Sequence, residues 1–265
     1  MTAIAANLVW LFAEFGDDLP ARIRAARRHG IEAVEMWGWR DQDLLAIGRA
    51  LEETGVSLLT MTVDPQLQLT DPATHDEWLA AVRESLEVAV RLDAQNVVVV
   101  AGDARPGVSR DEQRAALVDV LGRAAGLAEA TPVTLLLENL NDRVDHVGTF
   151  LRAAGETLDV VREVGAPRLR LLLDVYHSLV AGEDIARAIA GHADLIGHVQ
   201  LAESPGRHEP GTGSTDWGGV IRLLRAAGYR GRFGLEYRPT VDTVSSLAEI
   251  ERVVAAVDAP AGPRG

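Results

Sequence analysis

Along this chain, short runs of β-branched residues and leucine recur between longer stretches in which apolar residues return every third or fourth position. Eight such runs stand out: IAANLVW from Ile4, IEAVEM from Ile31, VSLLTMTV from Val56, NVVVVAG from Asn96, VTLLLE from Val133, LRLLLD from Leu169, LIGHVQLA from Leu195 and FGLEY from Phe233. Their starts lie roughly 30 residues apart, the length of one βαβ unit. The pattern therefore predicts repeated strand–helix pairs and a parallel sheet of the α/β class. Eight pairs within 265 residues favour a closed (β/α)8 TIM barrel over an open doubly wound sheet. A Rossmann sheet would also need a GxGxxG after the first run, and none is there.

The stretches between the runs carry helix punctuation. Ser109 and Glu112 form a capping box ahead of Leu117, Val120, Leu121, Ala124 and Leu127, which share one helical face. Gly30, Gly55, Gly165 and Gly228 fit the left-handed residue that ends a helix. The last stretch places Val244, Leu247, Ile250, Val253, Val254 and Val257 on one face. We expect a single barrel domain over residues 1–258 and a disordered tail, APAGPRG, over 259–265.

Composition narrows the chemistry. An apolar content of 47% in 265 residues supplies one large core. No apolar run approaches the roughly 18 residues that a membrane span needs, and no basic segment precedes MTAIAANLVWLF. The chain reads as a soluble, cytoplasmic protein with no membrane partner. A net charge of -13 argues against a nucleic-acid partner, whose phosphates call for clustered Lys or Arg. There is no Cys and no Lys, all 26 basic residues being Arg. Cysteine nucleophiles, iron–sulfur clusters, thiolate zinc, Schiff-base lysines and the Walker A lysine are thereby excluded. Acid–base and metal chemistry remain.

In a TIM barrel the C-terminal strand ends carry the active site. The fifth, sixth and eighth runs close on Glu138, Asp174 and Glu236, and the seventh carries Gln200. An acid after several apolar residues is costly to bury without a cation or hydrogen-bond donors. Each acid taken singly could cap the following helix or pair with an arginine. Four oxygen donors on consecutive strands suggest instead a hard or borderline divalent cation, Mg²⁺ or Mn²⁺, with Co²⁺ a further candidate.

At these residues the sequence resembles the hydroxypyruvate isomerase family, within the wider xylose-isomerase-like barrel superfamily of sugar isomerases and ketose epimerases. The resemblance covers nearly the whole chain. It is most specific at PGRHEPGTG (205–213), with support from LLLENLNDRVDH (135–146), LLLDVYH (171–177), GLEYRPT (234–240) and the opening AANLVWLF. It implies metal ligation by Glu138, Asp174, Gln200 and Glu236, with Glu138 and Glu236 as the proton-transferring pair on opposite faces of the substrate. The metal would grip adjacent carbonyl and hydroxyl oxygens and stabilise an enediolate. His177 resembles a substrate-oxygen contact, against the alternative of a histidine holding a strand-end carbonyl. Arg207 and His208 resemble a loop that closes over substrate, Arg207 pairing with a carboxylate, against the alternative of a solvated loop. His198 shares a strand face with Gln200 and reads as a hydrogen-bonded interior histidine.

Two departures bear on the substrate. After the second run the chain has EMWGWRD where the family resembles EFLFPY, placing Trp37 and Trp39 near the mouth, where they either stack on a sugar or pack the loop. The third-run loop, TVDPQLQLTDP, lacks the family's Gly-Asp-Trp character. The expected function is an isomerase of a small hydroxy-carbonyl substrate, hydroxypyruvate and tartronate semialdehyde being the narrowest form. Alternatives are a ketose 3-epimerase or sugar-derivative lyase on the same metal, a metal-dependent endonuclease, and a silent sugar-binding barrel. The sequence leaves room for a homo-oligomer.

Overall fold

The structure, a computed structural model, describes residues 3–259. The tail expected at 259–265 therefore lies, from residue 260 onward, outside the described residues. Eight parallel strands close into a barrel in chain order. They are β1 (Ile4–Asn7), β2 (Ala33–Glu35), β3 (Ser57–Thr62), β4 (Asn96–Val99), β5 (Thr134–Glu138), β6 (Leu169–Asp174), β7 (Ile196–Leu201) and β8 (Phe233–Leu235). Each lies within one of the eight expected runs. The helices are α1 (Leu19–Arg28), α2 (Leu44–Thr54), α3 (His75–Arg91), α4 (Arg110–Ala128), α5 (Ala154–Val164), α6 (Val175–Ala181), α7 (Ile185–Ala188), α8 (Trp217–Ala226) and α9 (Thr243–Asp258). Among the described residues no helix is long and apolar enough to cross a membrane.

Strand side chains alternate between two cores. Leu135, Leu137, Leu171 and Leu173 join the large cluster shared with the helices. Their neighbours Val98, Leu136 and Leu172 form a separate cluster, as do Ala5, Ala33 and Leu59. These are the inward positions of the barrel. Counting two residues on from Ala5, Ala33, Leu136 and Leu172 gives Asn7, Glu35, Glu138 and Asp174; the same step from His198 and Gly234 gives Gln200 and Glu236. Thus every one of these six strands turns a polar side chain inward near its C-terminal end.

Two local features hold this arrangement. The Ser109–Glu112 capping box is present in full at the start of α4. Gly55 and Gly165 end α2 and α5 with φ of 66° and 63°, where a side chain would be strained. The α9 stripe is buried at Leu247, Ile250 and Val254, whereas Val244, in the first turn of the helix, is 38% exposed.

Candidate active site

A cavity of about 680 Å³ opens at the C-terminal mouth, with Trp10, Trp37, Glu138, Tyr176, Arg207 and Glu236 in its lining. The ladder sets Asp174 beside Gln200 on neighbouring strands. Glu138, Asp174 and His177 each offer an atom within 4.8 Å of the others. Asp174 is both a helix cap and a site acid. Its Oδ1 accepts the His177 backbone N–H at 3.3 Å to start α6, while Oδ2 faces Arg207 Nη2 at 3.5 Å. Asn139 pins the strand end, its Oδ1 accepting the Asp174 N–H and its Nδ2 donating to the Asp174 carbonyl.

Arg207 is the cation among these acids. Its Nη2 donates to Glu236 Oε2, and its guanidinium lies 5.1 Å from the Trp10 ring centre and 4.9 Å from that of Tyr176. Its backbone sits in the left-handed region, with φ of 53°. The loop carrying it is tied down. Buried Glu203 accepts from Trp217 Nε1 at 2.8 Å and Gly211 N at 3.1 Å, and Glu209 accepts from Thr240 N at 2.9 Å. His208 turns to the Arg238 carbonyl at 2.8 Å. Of the two loop residues, then, Arg207 reaches the acids and His208 braces the loop.

Glu236 is gripped from three sides: besides Arg207, Oε1 accepts Trp37 Nε1 at 2.7 Å and Asn7 Nδ2 at 2.9 Å. Trp37 stands edge-on to Trp10 at 5.2 Å and is 39% exposed. Trp39 lies outside the lining, its Nε1 donating to Ser85 Oγ at 3.0 Å.

Burial dominates the electrostatics. It pushes the Glu138 carboxyl well above the usual range, with Glu236 and Asp174 adding repulsion. It raises Asp174 to about 7, against the pull of Arg207. Glu236 rises too, restrained by Arg207 and the Trp37 hydrogen bond. Burial, then Arg207, holds His177 well below its ordinary value and so neutral. Three acids around one guanidinium leave a deficit of positive charge that a divalent cation would fill.

Below them, Glu35 is fully buried and accepts from Gln200 Nε2 at 2.9 Å; its other oxygen bonds His198 Nε2. His198 is thus the hydrogen-bonded interior histidine expected. With its nitrogen engaged, Gln200 keeps a buried Oε1 that has no hydrogen-bond partner. An orphaned amide oxygen beside buried carboxylates fits an oxygen-seeking divalent cation. Sequence reasoning passed over Asn7, Glu35, Asn141, Tyr176 and Asp145. The first two end strands β1 and β2 but lie inside their apolar runs, so the run-end rule that found Glu138 did not single them out.

Comparison with known proteins agrees with this fold. The family model described as xylose isomerase-like TIM barrel matches residues 23–256. A human protein provisionally named as a hydroxypyruvate isomerase is 34% identical over 92% of each chain. A 2-oxo-tetronate isomerase from Cupriavidus necator is 30% identical over 93% of this chain and 96% of its own. Among solved structures, one titled as an AP endonuclease of family 2 from Brucella melitensis superposes with a TM-score of 0.87 at 28% identity. It covers 95% of this chain and 99% of its own.

Proposed function

The chain belongs to the xylose isomerase-like TIM barrel family, and on that premise we propose that it is a divalent-metal-dependent isomerase of a small hydroxy-carbonyl compound. The observation carrying the proposal is the convergence of partly buried Glu138 with buried Asp174 and Glu236, both paired to one arginine, and with the unpartnered Gln200 Oε1. Hydroxypyruvate and tartronate semialdehyde are the narrowest pair, in keeping with the names of relatives.

Glu138, Asp174, Gln200 and Glu236 would hold the cation, Mg²⁺ or Mn²⁺ by their oxygen donors. Bound there, it would supply Lewis-acid polarisation of the substrate's carbonyl and hydroxyl oxygens. The rest falls to side chains. Glu236, with three donors stabilising its charge, is the carboxylate that removes the proton from the hydroxyl-bearing carbon. Glu138 returns a solvent-derived proton to the neighbouring carbon, the hydroxyl proton passes to the former carbonyl oxygen, and Glu236 gives up its proton to solvent. Trp10 and Trp37 keep one wall of the cavity apolar.

A second reading rests on the cavity, which at about 680 Å³ is far larger than a three-carbon acid. A longer ketose would fit, and proton return to the opposite face of the same carbon would make the enzyme a 3-epimerase. The endonuclease title of the Brucella structure finds less support, since a charge of -13 repels a phosphate backbone.

The deciding experiment is solvent-proton exchange in D₂O followed by NMR, with chelated and with Mn²⁺- or Mg²⁺-loaded enzyme, over hydroxypyruvate, 2-oxo-tetronate and free ketoses. Metal-dependent deuterium incorporation lost in Glu138→Gln and Glu236→Gln is the expected result. Exchange with no candidate, in enzyme shown to bind metal, would overturn the isomerase reading.

A further inference from the structure

Asn141, fully buried in the loop after β5, uses every hydrogen-bonding position of its side chain. Its Oδ1 accepts the backbone N–H groups of Arg143, Val144 and Asp145 at 3.3, 2.9 and 3.2 Å. Those three donors identify the oxygen end of the amide, because an NH₂ turned toward them would meet only hydrogens. The two amide hydrogens then go to Asp145 Oδ2 at 2.7 Å and to His177 Nδ1 at 2.6 Å. Asp145 Oδ2 is held in turn by the Tyr176 hydroxyl at 2.7 Å.

A ring nitrogen that receives an N–H must offer a lone pair. His177 Nδ1 is therefore unprotonated, and the single ring proton resides on Nε2. Nε2 is buried, has no hydrogen-bond partner in the protein, and lies 3.4 Å from Asp174 Oδ2 and 3.9 Å from Glu138 Oε1. By distance alone Glu138, Asp174 and His177 make a three-ligand metal cluster. The hydrogen count says otherwise, since a protonated nitrogen has no lone pair for a metal.

We propose that Asn141 is a positioning residue that locks His177 as its Nε2–H tautomer, so that His177 donates to a substrate oxygen and is barred from ligating the cation beside it. The identity of the recipient rests on the isomerase reading; the tautomer lock does not.

The test uses the full chain with ¹⁵N-labelled histidine, first chelated and then loaded with Mg²⁺. Ring nitrogen shifts should show His177 protonated at Nε2 and bare at Nδ1, unchanged by Mg²⁺. In Asn141→Asp the atom facing Nδ1 becomes an acceptor, so the tautomer should flip while the backbone N–H groups keep their partner. Because the introduced carboxylate would face Asp145, the double variant Asn141→Asp/Asp145→Asn keeps one amide and one carboxylate in the pair, and circular dichroism checks that it folds. With Co²⁺ alone as probe, the folded double variant should gain an imidazole-coordinated visible spectrum that the wild type lacks. A bare Nε2 in the wild type, or an unchanged tautomer in the folded double variant, would overturn the lock whether or not any substrate has been found. With a substrate from the exchange assay in hand, its addition should shift the His177 Nε2–H signal; no shift would overturn the substrate contact alone.

Discussion

Glu35 on β2 accepts the Nε2 amide of Gln200 on β7 at 2.9 Å, across the inside of the barrel and 165 positions apart in sequence. The bond decides which end of Gln200 is left for a cation: the nitrogen is taken and the oxygen has no partner. A carboxylate at the second remove from a metal commonly sets the orientation of the ligand it holds.

Glu35→Gln should therefore weaken Mn²⁺ binding by about 10–100-fold, the usual cost of losing such a partner. Calorimetric titration of the chelated protein measures it. Unchanged affinity would remove Gln200 from the ligand set.

The raised carboxyl of Asp174 makes stability depend on pH. Its folded pKa of about 7 exceeds that of an unfolded carboxyl, so its contribution is full at low pH and is lost as pH rises through about 7. Asp174→Asn lacks that loss. In chelated protein, the Tm of the variant minus that of wild type should become more positive between pH 5 and pH 8. Saturating Mg²⁺ should reverse the sign at pH 8, because only the wild type keeps the full ligand set. A difference that does not vary with pH would show that Asp174 does not titrate in this window.

Trp37→Phe keeps the ring against Trp10 and removes the hydrogen bond to Glu236. That bond lowers the Glu236 pKa, so its loss should move the acid limb of kcat/KM to higher pH and cut the rate at neutral pH by roughly tenfold. Steady-state rates across pH would show it. A uniform drop with no shift of the limb would instead mark Trp37 as a packing residue.

Gly234 gives the buried Glu35–His198 pair its room. A Cβ there would lie 2.7 Å from His198 Nε2 and also collide with the Glu35 carboxylate. Gly234→Ala should cost about 1–3 kcal/mol, as overpacking does, read as a lower midpoint in urea. It should weaken Mn²⁺ binding as well, through displaced Gln200.

The barrel was legible because its signals are local. Each strand is an apolar run such as VTLLLE or LRLLLD, and each helix end carries its own cap, as at Ser109 and Gly165. Glu138, Asp174, Gln200 and Glu236 were legible for a related reason: strand parity points them inward, and closing the sheet brings inward residues together. Arg207 was named from its loop, but its partners among the acids were not, and His208, named beside it, turns to a backbone carbonyl instead.

The sequence by itself determined which residues of a strand share a face, since alternation along a strand depends on nothing beyond that strand. Only the tertiary structure decided which atoms of those residues are engaged. That Glu35 takes the nitrogen of Gln200, that Asn141 gives a hydrogen to His177, and that three donors close on Glu236 are relations among side chains from distant strands and loops. Hydrogen bonds have direction and each atom has few positions to offer, so such relations exist only once the closed barrel has brought the groups within about 3 Å.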